Sequence, residues 1–69
     1  MKQIAKNIKK LRKSKGMTQA KLAEKLGLTR SSVGNYEKGV LLPSLPIAYK
    51  MSTIFGVSIN SLIENNPHK

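Results

Sequence analysis

Gln19-Ala20-Lys21-Leu22-Ala23-Glu24-Lys25-Leu26-Gly27-Leu28-Thr29-Arg30-Ser31-Ser32-Val33-Gly34-Asn35-Tyr36-Glu37-Lys38 is the stretch that decides the fold. Apolar residues recur at helical spacing on both sides of Gly27-Leu28-Thr29, which predicts two short helices and a tight turn. Helices joined by so few residues must cross steeply and closely. Such a crossing wants a small side chain at the contact, and Ala23 supplies it. The turn wants a positive φ, which Gly27 adopts without steric cost. Leu22, Leu26, Leu28, Val33 and Tyr36 then face inward. Thr18 and Thr29 precede the two helices, where a hydroxyl accepts a hydrogen bond from a free first-turn N–H.

The flanks read in the same way. Upstream, Ile4, Ile8 and Leu11 form one apolar stripe from about Gln3 to Lys15, with lysines on the other faces and Gly16 as the stop. Downstream, a fourth helix is expected after Ser44, with Pro46 tolerated in its first turn and Ile47, Ala48, Met51, Ile54 and Phe55 before Gly56. A fifth follows Ser58 with Ile59, Leu62 and Ile63. Met17 with Leu22, Leu28 with Val33, and Val57 with Leu62 have the spacing of hydrophobic staples, which fix how the chain enters each helix. No strand alternation or repeat interrupts this pattern. The expected fold is all-α, a compact five-helix bundle over residues 1–64 with helices 2 and 3 as a helix-turn-helix, and a flexible tail at 65–69.

Charge narrows the function. Thirteen Lys and Arg against three acidic residues give a formal net charge of +10 on 69 residues. That balance points to a polyanion: nucleic acid, an anionic membrane surface or an acidic protein. A membrane partner is not expected. No apolar run approaches the roughly 18 residues of a span. The basic first helix has no Trp or Phe on its apolar face, and the fold needs Ile4, Ile8 and Leu11 inside. Catalysis is not expected either. Ser31 and Ser32 have no histidine near enough to activate them, and Glu24, Glu37 and Glu64 offer no paired carboxylates. With no cysteine and a single His68 in the tail, no metal or cofactor site is expected, and a reducing compartment fits.

Several short motifs then occur in one order: Ile8-x-x-Leu11-Arg12, Gly16-Met17-Thr18-Gln19, Leu22-Ala23-x-x-Leu26-Gly27, Val33-x-x-Tyr36-Glu37-x-Gly39, Pro43-Ser44-Leu45 and Gly56-Val57-Ser58. With them the chain resembles the lambda-repressor/Cro-type, or XRE-type, helix-turn-helix regulators of bacteria and phages, from about Ile4 to Ile63. The resemblance implies sequence-specific binding of double-stranded DNA, with a recognition helix at about Arg30–Lys38 in the major groove. It makes Arg30, Ser31 and Asn35 base-contacting. Arginine pairs bidentately with guanine O6 and N7, and asparagine with adenine N6 and N7. It assigns Thr18 and Gln19 to phosphate, where a helix N-terminus is a ready anion site; Ser32 and Lys38 are better placed for phosphate than for bases. It also implies a partly buried ion pair between Arg12 and Glu37.

The expected biological unit is a homodimer on an inverted-repeat operator, acting as a cytoplasmic, nucleoid-associated transcriptional repressor. With no room for a separate oligomerisation domain, dimer contacts are expected at Leu41, Ile59, Leu62 and Ile63, or along the Val40-Leu41-Leu42 loop, with plain core packing the stronger expectation for Leu62 and Ile63. An antitoxin or another protein-binding module that also binds DNA is the alternative. Two departures from the family pattern stand out. Gly34 lies inside the recognition helix, at a cost of about 1 kcal/mol relative to Ala. The Val40–Leu42 loop is apolar where relatives are often basic, and is expected to pack on the bundle or join a dimer contact.

Overall fold

Four of the five helices begin on a hydroxyl. Thr18, Thr29, Ser44 and Ser58 accept hydrogen bonds from the backbone N–H groups of Lys21, Ser32, Ile47 and Ser61 at 3.0, 3.2, 3.4 and 3.1 Å. In the computed structural model, which describes residues 2–64, the helices are α1 (Lys2–Ser14), α2 (Gln19–Leu26), α3 (Arg30–Lys38), α4 (Leu45–Phe55) and α5 (Ile59–Ile63). There is no strand among the described residues. Gly27 closes α2 at φ 72°, and its backbone N–H turns back to the Ala23 and Glu24 carbonyls. The expected boundaries shift by a single residue at α1, which ends at Ser14; the backbone N–H of Lys15 still reaches the Leu11 carbonyl at 3.2 Å.

Burial of the apolar stripes holds the bundle together. Ile4, Ile8 and Leu11 of α1 meet Leu22, Ala23 and Leu26 of α2, Val33 and Tyr36 of α3, Ala48, Met51 and Phe55 of α4, and Leu62 of α5. Met17, Leu28 and Val57, the residues that precede three of the caps, pack partly buried against the same core.

Asn7, Ser52 and Ser61 are buried polar residues that no sequence motif marks, and Asn7 reaches across the bundle. Asn7 sits on the inner face of α1 at 2% exposure. Its Nδ2 donates to the carbonyls of Leu62 and Glu64 at 2.8 and 2.7 Å, and its Oδ1 accepts from Gln3 Nε2 at 2.9 Å. The last carbonyls of any helix lack intrahelical partners. At α5, where no glycine cap follows, a side chain from the opposite end of the chain supplies the donor.

Two expectations about the surface need correction. Leu62, a dimer-contact candidate for which core packing is the stronger expectation, is wholly buried because its position on α5 points into the core, so it has no surface to offer a second chain. The Val40–Leu42 loop does not pack on the bundle: Val40, Leu41 and Leu42 are 66%, 48% and 57% exposed. The backbone explains this. The N–H groups of Val40 and Leu41 are held by the Asn35 carbonyl at 3.0 and 3.3 Å, closing α3 in a tight turn. Of the remaining contact candidates, Ile63 is exposed and Ile59 partly so. The expected tail at 65–69 lies outside the described residues.

Candidate nucleic-acid interface

The site is built on the packing of α3 across α2. Val33 and Tyr36 anchor α3 in the core, which turns the opposite face outward. Arg30 and Ser31 are exposed there, and Asn35 is half-buried one turn after Ser31. Residues four apart share a helix face, so Ser31 and Asn35 project together. Thr18 and Lys38 are exposed, and Gln19 and Ser32 are half-buried. The Ser32 and Thr29 hydroxyls lie 3.1 Å apart.

The only acidic residue of α3, Glu37, is turned away from that face. Its carboxylate accepts from Arg12 Nε at 2.6 Å and from Arg12 Nη2 at 3.1 Å, and the two side chains are 9% and 3% exposed. Arg12 also donates from Nη1 to the Met17 carbonyl at 2.7 Å, so the guanidinium holds the α1–α2 connection as well as α3. A bidentate, doubly charged pair of this kind is strong, and burial makes a lone partner costly. The interface thereby loses its one nearby negative charge. Glu24, on α2, remains exposed but lies 3.3 Å from Lys21 Nζ.

Gln19 joins the two halves. Its Nε2 donates to Glu37 Oε1 at 3.1 Å, and its Oε1 accepts from Arg30 Nη1 at 3.1 Å. A continuous polar chain therefore runs from the Met17 carbonyl through Arg12, Glu37 and Gln19 to Arg30. Sequence reasoning placed these residues on the right helices but missed the Glu37–Gln19 and Gln19–Arg30 links. Those links span 18 and 11 residues and depend on the crossing angle, which no local motif encodes.

Positive charge and open backbone complete the surface. None of the five helices has an acidic residue in its first turn. At α2 the cap hydroxyl serves the Lys21 N–H, so the amides of Gln19 and Ala20 head the helix without an intrahelical acceptor. Gly34 lies beside this point. A Cβ built on it would meet only Gln19 Oε1, at 4.0 Å.

The helix-turn-helix family profile HTH_3 matches residues 8–62, taking in the whole of this arrangement. The chain belongs to the XRE-type helix-turn-helix family. This XRE-type domain is 44% identical over 57 residues to the SPbeta prophage-derived HTH-type transcriptional regulator YonR of Bacillus subtilis, a match covering 83% of this chain and 53% of YonR. The chain thus spans about half the length of that relative. Among solved structures, the N-terminal DNA-binding domain of SinR from Bacillus subtilis superposes with a TM-score of 0.85 at 31% identity over 100% of both chains. The restriction-modification controller protein C.AhdI from Aeromonas hydrophila superposes with a TM-score of 0.81 at 33% identity, covering 88% of this chain and 92% of C.AhdI.

Proposed function

We propose that this XRE-type domain binds double-stranded DNA sequence-specifically, with α3 in the major groove, and represses transcription as a homodimer on an inverted repeat. One observation carries the reading. Arg30 and Ser31 are exposed on α3 and Asn35 is half-buried one turn after Ser31, while the helix's only carboxylate is buried against Arg12. Arg30 and Asn35 supply the side chains that pair bidentately with guanine and adenine, and Ser31 is a less discriminating partner. Thr18, Gln19, Ser32 and Lys38 hold phosphates on either side and fix the register. The similar protein SinR has been crystallised in complex with DNA, which supports the reading.

One recognition helix reads only a few base pairs, so useful specificity needs two copies spaced about 34 Å apart. Among the residues expected at that contact, Leu41 with its neighbours Val40 and Leu42, Ile63 and the partly exposed Ile59 have surface to offer. The protein works in the bacterial cytoplasm, at the nucleoid. Selection of bound duplexes from a random pool by the purified protein tests all of this. The expected product is a short motif repeated in inverted orientation about one helical turn apart. Enrichment of no motif at all would refute sequence-specific binding, and a single half-site would refute the dimer.

A further inference from the structure

We propose that Glu37, which sits behind the recognition surface, is a positioning residue that sets base preference at the position read by Arg30. The inference rests on the DNA-binding reading and adds a residue to it. A glutamine amide has a donor end and an acceptor end, and nothing in its own shape decides which points where. At Gln19 the choice is made by Glu37. An ionised carboxylate can only accept, so the amide must turn Nε2 toward Glu37 Oε1, where it lies 3.1 Å away. Oε1 is thereby forced toward Arg30, whose Nη1 donates to it at 3.1 Å. Arg12 fixes the carboxylate in turn through two hydrogen bonds. The buried ion pair thus dictates the polarity of an amide at the surface. That amide tethers one nitrogen of the Arg30 guanidinium and leaves its other donors free to form a fork on a guanine.

Replacing the carboxylate by an amide reverses the logic. In Glu37→Gln, either orientation of the new amide sets its NH2 group against an Arg12 donor, Nε or Nη2; with the oxygen kept toward Nε, the shorter contact at 2.6 Å, the NH2 group takes the place of Oε1. Gln19 must then offer Oε1 inward and turn its own NH2 group toward the Arg30 cation. Two donors face each other, and Arg30 loses its tether.

The test compares wild type, Glu37→Gln, Gln19→Leu and Arg30→Ala on duplexes selected by the wild type. The base pair read by Arg30 is the one whose preference disappears in Arg30→Ala. At that pair both Glu37→Gln and Gln19→Leu should lose about tenfold in discrimination, with preferences elsewhere retained. Gln19→Leu leaves the ion pair intact, so it keeps the test open if Glu37→Gln fails to fold. Equal weakening on all four base pairs, with discrimination retained, would overturn the inference while leaving DNA binding standing. Failure of the wild type to select any duplex would remove both. Without DNA, one Gln19 side-chain amide proton should resonate downfield in the wild type, as expected for a carboxylate acceptor, and shift in Glu37→Gln. An unchanged resonance would also overturn it.

Discussion

Asn7 and Leu62 stand 55 residues apart in the chain, yet the Asn7 amide donates to the Leu62 carbonyl at 2.8 Å in the buried interior. This bond, with its companion to Glu64, ties the five-residue α5 to α1. A helix that short is not stable alone, because nucleation consumes most of what its few hydrogen bonds return. Docking through Asn7 and Leu62 makes it part of the domain.

Asn7→Ala should therefore lower stability by about 1–3 kcal/mol, the cost of leaving buried carbonyls without a donor. Thermal or urea unfolding measures the loss. Hydrogen exchange should show α5 opening ahead of the rest; a variant with wild-type protection in α5 would assign the tie to Leu62 packing alone.

The Arg12–Glu37 pair should show strong coupling. Arg12→Met alone is expected to cost roughly 3–5 kcal/mol, since it strands the Glu37 carboxylate in a nearly closed site. Arg12→Met combined with Glu37→Met should cost less than Arg12→Met alone. A double-mutant cycle from urea denaturation gives the answer, and additive losses would contradict the buried geometry.

Gly34→Ala should stabilise the free protein by up to about 1 kcal/mol, because helix propensity rises and a methyl group meets only Gln19 Oε1 at van der Waals distance. Urea denaturation reads the change. A loss of stability would mean that the α2–α3 crossing tolerates no added volume.

Affinity for the selected duplex should fall steeply with salt, with a log–log slope of about −4 to −8 for a dimer that neutralises a similar number of phosphates. Titrations at several salt concentrations measure it. A flat response would refute phosphate neutralisation by Lys38 and the other basic side chains.

The helices and the core were legible because their signals are local. A hydroxyl before an apolar stripe and a glycine after it mark a helix within a dozen residues, and Ala23 and Gly27 announce the crossing between α2 and α3. The same register leaves Arg30 and Ser31 exposed and Asn35 half-buried. Two kinds of information were not local. Asn7 lies beside an apolar stripe and looks like one more polar residue until α5 docks over it. The Gln19 amide looks like a phosphate ligand alone until the crossing brings Glu37 and Arg30 to its two ends. Leu62 and the Val40–Leu42 loop mark the remaining gap, since hydropathy says that a residue avoids water but not what will cover it.

That uncovered loop has a colloidal consequence. Val40, Leu41, Leu42, Leu45 and Tyr49 leave oily side chains at the surface, while a formal net charge of +10 makes free copies repel. Dilute electrolyte preserves that repulsion between copies, and concentrated electrolyte screens it. The lysines thus act as the protein's own dispersant, and a polyanion that neutralises them brings copies within reach of one another.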